Sequence, residues 1–118
     1  MCRVLIVDDH ASFRTLAVRI VADAGFTVVG EAPDAASALD HASRLRPDAV
    51  LLDVVLPDRS GLEVAAELAC GEKPPLVLLT SSRSRSDFGE SFDWPAGCTF
   101  VPKHELTAAR LRAELQRP

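Results

Sequence analysis

Two apolar runs in this chain end in acid: Val4-Leu5-Ile6-Val7 stops at Asp8-Asp9, and Ala49-Val50-Leu51-Leu52 stops at Asp53. Unbroken Val/Ile/Leu stretches mark strands covered on both faces, as in parallel sheets between helix layers, and the ligand crevice of such sheets lies beyond the strands' carboxyl ends. Three carboxylates therefore stand at the tips of two buried strands. Carboxylates held close together repel one another unless a cation sits among them or their pKa values are driven apart. The pattern points to a site for a hard divalent cation.

Strand and helix signals alternate along the rest of the chain. After Asp8-Asp9, the residues Phe13, Leu16, Ala17, Ile20, Val21 and Ala24 follow helical spacing, and Gly25 supplies a C-terminal cap. Thr27 to Glu31 reads as a second strand. Pro33-Asp34 opens a helix carrying Ala35, Ala38, Leu39, Ala42 and Leu45, which Pro47 stops. Beyond Asp53, Leu56-Pro57-Asp58 makes a turn, and Ser60 with Glu63 has capping-box spacing at the head of a helix expected to bury Leu62, Ala65, Ala66 and Ala69. Leu76 to Leu79 and Thr99 to Val101 are the fourth and fifth strands, and a last helix uses Ala108, Leu111 and Leu115. Between those strands, Phe88 and Phe92 mark a thin, serine-rich fourth helix. Five such β-α units predict an α/β, doubly wound, flavodoxin-like three-layer sandwich with a parallel sheet in the order 2-1-3-4-5. Pro102, which has no N–H to donate, suits the edge position that strand five takes in that order.

At 118 residues, with 47% hydrophobic and 25% charged side chains, the chain fits one ordinary globular domain over residues 1–118, without an output domain. A net charge of -4 argues against a nucleic-acid surface. No apolar stretch reaches the ~20 residues that span a bilayer, and no signal-like segment leads the chain, so no membrane contact and a cytoplasmic location are expected. Cys2, Cys70 and Cys98 have neither metal-ligand nor redox spacing and read as three buried thiols.

Five features in order resemble the receiver domain of bacterial two-component response regulators, chemotaxis regulators included, over the entire chain. They are Asp8-Asp9; Asp53 followed by Leu56-Pro57-Asp58-Arg59-Ser60-Gly61; Thr80 ending strand four; Phe100 in strand five; and Lys103 just after it. The resemblance implies that Asp53 is the phosphoacceptor, and that Mg²⁺ (or Mn²⁺) is held by Asp8, Asp9, Asp53 and the backbone carbonyl of Val55. It also implies that Lys103 and Thr80 bind the phosphoryl group while Thr80 and Phe100 switch the face made by the fourth helix, fifth strand and last helix. The partners it implies are a sensor histidine kinase or histidine phosphotransfer protein upstream and an effector protein or output module downstream. Such a domain catalyses only its own phosphorylation and dephosphorylation.

Each residue also has a plainer reading: solvated loop acids, a turn cap, a strand-ending threonine, a core aromatic and a surface lysine. A degenerate receiver that binds partners without phosphorylation is the alternative, and the intact acids, Thr80 and Lys103 speak against it. An aspartyl-phosphate hydrolase needs an acid two residues past its nucleophile, where this chain has Val55. His10 is placed at the pocket rim rather than among the metal ligands, since Mg²⁺ prefers oxygen. One departure from the family pattern is that Pro102 precedes Lys103 and His104 follows it. No cis Lys-Pro bond is therefore possible, and the loop is free to present Lys103 differently.

Overall fold

The computed structural model describes residues 2–82 and 98–116. Within them lie β1 (Arg3–Val7), α1 (Ala11–Asp23), β2 (Thr27–Ala32), α2 (Ala35–Leu45), β3 (Ala49–Asp53), α3 (Gly61–Ala69), β4 (Leu76–Thr80), β5 (Cys98–Phe100) and α4 (Ala108–Leu115), with a short 3₁₀ turn at Lys103–Glu105. The strands form one sheet in the order β2-β1-β3-β4-β5, every pair parallel, as predicted. The expected helix around Phe88 and Phe92 lies outside the described residues.

The apolar runs become the central strands because each side chain meets a hydrophobic layer whichever way it points. Leu5, Val7, Val50, Leu52 and Leu79 join Ala35, Ala38, Val64 and Phe100 on one face, and Val4, Ile6, Leu51 and Leu78 join Ala17, Val21 and Leu111 on the other. Helices on both faces cover what would otherwise be apolar surface, at roughly 25 cal/mol per Å² removed from water.

Local sequence sets the helix ends. At the close of α1, Gly25 takes a φ of +90°, its N–H donates to the Ala22 carbonyl, and the Phe26 N–H reaches the Val21 carbonyl. That is a Schellman closure, and it needs the left-handed residue glycine supplies. Asp34 caps α2 by accepting the Ser37 N–H at 2.8 Å. The helix ends at Arg46, whose φ of 48° turns the chain before Pro47. The capping box read from Ser60 and Glu63 is present in both directions.

Four expectations need correction. Leu16 is 51% exposed, because the buried stripe of α1 runs through Ala17, Val21 and the partly buried Phe13 and Ile20. In α3 the buried residues are Gly61, Val64 and Ala65, whereas Ala66 and Ala69 face solvent. The thiols are not buried: Cys70 is exposed, and Cys2 and Cys98 are intermediate. The fifth strand also begins and ends one residue earlier than predicted. No described helix is long and apolar enough to cross a membrane.

Candidate functional site

The parallel register brings the strand tips together. Val7 pairs with Leu52 and Asp53 with Thr80, so Asp8 leaves the sheet beside Asp53, with Thr80 on its other side. The Val54 N–H donates to the Thr80 carbonyl at 2.9 Å, and the Lys103 N–H donates to the Ser81 carbonyl at 2.9 Å, which fixes the base of the Lys103 side chain at the same end of the sheet.

Asp8, Asp53 and Thr80 are buried, while Asp9 and His10 are exposed at the rim. Ligand-capable atoms of Asp8, Asp9, His10 and Asp53 all lie within 4.8 Å of one another. The Lys103 ammonium enters from the opposite side of the sheet order, 2.7 Å from Asp8 Oδ2 and 3.1 Å from Asp53 Oδ2. Asp53 Oδ1 accepts the Val55 N–H at 3.1 Å, and Asp8 Oδ1 accepts the His10 N–H at 2.8 Å. His10 Nδ1 stands 3.1 Å from Asp9 Oδ1 and 3.3 Å from Asp8 Oδ1. His10 thus occupies the rim position expected of it, yet in reach of two acids.

The electrostatics follow from burial. Loss of water raises the Asp53 carboxyl above its ordinary value; the Val55 N–H and the Lys103 ammonium pull it back, and the neighbouring Asp8 pushes it up again. Burial works against the charge on Lys103, but Asp8 and Asp53 together outweigh it and hold the ammonium above its ordinary value. A cluster with more acid than base, partly withdrawn from water, favours a cation. Asp8 Oδ2 is buried, with the Lys103 ammonium 2.7 Å away as its ion-pair partner. Three carboxylates gathered at one point, two of them buried, offer the oxygen donors that a hard cation such as Mg²⁺ prefers.

The loop after β3 is built to lie against this cluster. Gly61 N–H donates to the Val54 carbonyl at 2.7 Å, and Val55 bridges Ser60. A Cβ on Gly61 would overlap the carbonyl oxygen of Asp53, so glycine is required by close approach. Asp58, read from sequence as a turn residue, does more: its two carboxylate oxygens accept the N–H groups of Ala35 at 2.8 Å and Ala36 at 3.0 Å at the head of α2. Phe13, read only as a helix-face residue, lies under the Lys103 ammonium, 4.5 Å from ring centroid to nitrogen. Phe100 is buried with Leu79 and Val77 one strand away from Thr80. Thus the structure gathers Asp8, Asp9, Asp53, Val55, Thr80 and Lys103 at one end of the sheet, with Phe100 beneath it.

A doubly wound sheet with clustered acids at the ends of its central strands defines the class. The family model of the response regulator receiver domain matches residues 4–116. The chain belongs to that family. It is 38% identical over 119 residues to the response regulator MprA of Mycobacterium sp. (strain KMS), covering 98% of this chain and 51% of that protein. It is 37% identical over 83 residues to the transcriptional regulatory protein PdtaR of Mycobacterium tuberculosis, covering 70% of this chain and 40% of the relative. The chain spans about half or less of the length of these relatives. Among solved structures, the BeF3-activated N-terminal receiver domain of Klebsiella pneumoniae RstA superposes with a TM-score of 0.78 at 28% identity, covering 98% of this chain and 99% of that one. The CheY-like receiver domain from Methylobacillus flagellatus gives 0.78 at 26% identity, over 98% and 97%.

Proposed function

We propose that this chain accepts a phosphoryl group on Asp53 from a sensor histidine kinase or histidine phosphotransfer protein, with Mg²⁺ or Mn²⁺ held by Asp8, Asp9, Asp53 and the Val55 carbonyl. The observation that carries this reading is the meeting of two buried carboxylates, one exposed acid and one lysine at the ends of the central strands. The metal, when bound, supplies charge neutralisation and orients the phosphoryl oxygens.

An oxygen of Asp53 attacks phosphorus in line. A P–O bond forms as the donor's P–N bond breaks, and the electron pair leaves with the donor imidazole. Because both reactants are anionic, positioning and charge neutralisation supply most of the catalysis. Lys103 moves from its pairing with the carboxylates onto a phosphoryl oxygen as a compact point charge. Thr80, next to Asp53 in the register, supplies a hydroxyl donor to another. Water later attacks phosphorus, the P–O bond to Asp53 breaks, and inorganic phosphate leaves as the carboxylate is restored.

The new dianion biases a two-state equilibrium. Inward movement of Thr80 vacates space for Phe100, and the surface around β5 and α4 changes for its reader, an effector protein or an output module. The chain works in the cytoplasm as a single receiver unit and carries out no reaction besides its own phosphorylation and dephosphorylation. A phosphorylation-independent binding role is disfavoured by the complete acid and lysine set.

The test is intact mass after incubation with acetyl phosphate and Mg²⁺. Wild type gains one phosphoryl group, and Asp53→Asn or added EDTA prevents it. A folded wild type that stays unlabelled overturns the reading.

A further inference from the structure

Lys103 reaches its acids from the edge of the sheet. It is the first residue of a 3₁₀ turn directly after Pro102, and its side chain must cross from the edge of the sheet to the acids on β1 and β3. A four-carbon stem with a freely rotating ammonium has several rotamers available, and fixing one costs conformational entropy. The ammonium stands 2.7 Å from Asp8 Oδ2 and 3.1 Å from Asp53 Oδ2, and it also lies over the ring of Phe13. Its ring lies 4.5 Å from Nζ, inside the range in which an aromatic face attracts a cation. Phe13 is itself held in place: it projects from the first turn of α1 and packs against the cluster that contains Ile6, Leu51 and Val101. The Lys103 side chain is only 15% exposed, so little water competes for that contact.

We propose that Phe13 is a positioning residue for Lys103. Its ring face holds the ammonium over the acid cluster before the phosphoryl group arrives, adding to the backbone bond that fixes the base of the side chain. The inference rests on the phosphoacceptor reading above for its catalytic consequence, but not for the contact itself. It assigns α1 a role at the chemical step through one ring.

Two measurements test it. In the metal-free wild type, NMR of the Lys103 ε-methylene protons shows an upfield ring-current shift that is lost in Phe13→Leu and kept in Phe13→Tyr. In the acetyl phosphate reaction with Mg²⁺, Phe13→Leu lowers the limiting labelling rate about 3- to 10-fold, the range expected for a mostly desolvated cation–π contact, while Phe13→Tyr retains it. Placed in a Lys103→Met background, Phe13→Leu brings no further loss, because the ring then has no cation to hold. An unshifted Lys103 signal in wild type, or an equal loss from Phe13→Leu with and without Lys103, overturns the proposal. Failure of the wild type to label removes the phosphoacceptor reading, whereas the ring-current shift stands or falls independently of it.

Discussion

Lys103 Nζ stands 3.1 Å from Asp53 Oδ2 across a separation of 50 residues. The contact does not fully offset the burial of Asp53, whose carboxyl stays above its ordinary value of 3.8. A folded-state pKa raised in this way favours folding most below the ordinary value, and that contribution disappears as pH rises through the folded-state value. At pH 7 the ionised Asp53 is therefore a cost to stability. Asp53→Asn is expected to raise the thermal midpoint by a few degrees at pH 7 without metal, and the gain should shrink as pH falls through the raised folded-state value towards 3.8, below which it is gone. A midpoint that drops at pH 7 contradicts this.

Asp58 ties the loop beside Asp53 to the first turn of α2 through two N–H groups. Those hydrogen bonds hold its carboxyl below the ordinary value of 3.8, chiefly through Ala35. The stabilisation is present above that value and is lost as pH falls through the lowered one. Asp58→Ala should therefore lower the thermal midpoint at neutral pH and speed amide exchange at Ala35 and Ala36. Unchanged exchange there would show that the loop and α2 are not linked.

At Gly61 any side chain meets the backbone of Asp53 rather than a movable group. Gly61→Ala should destabilise the fold by about 1–3 kcal/mol, the usual cost of overpacking. Urea titration reads this directly, and a neutral result would mean that the loop after β3 shifts without strain.

Thr80→Ala should still be labelled on Asp53, since the acids and Lys103 remain. The labelled variant should fail to move the amide resonances of Cys98–Phe100 that move in wild type. Equal movement in both proteins sinks Thr80 as the relay.

Strands were the most legible part of the chain. Runs such as Val4 to Val7 are apolar without interruption, and this alone places them between two layers. Their acidic ends located the site, because topology places strand tips together. The face of α3 was less legible: alanines at positions 65, 66 and 69 carry little facial preference, and Val64, missed in the sequence, takes the buried place. The Asp58 and Phe13 contacts were illegible for another reason. Both join elements far apart in the chain, and neither residue type announces a long-range partner. Two amides at the head of α2 lacking an acceptor would have been the only local sign for Asp58, and nothing local points from Phe13 to Lys103.

The two outer strands of the sheet each resist adding another strand. β5 has only three residues and is followed two positions later by Pro102, while β2 pairs with β1 through a register shift between Val4 and Leu5. Short, proline-flanked or bulged edges make poor templates for a foreign backbone. Neither edge therefore offers an incoming chain a long, regular ladder of main-chain groups, which favours recognition through side chains.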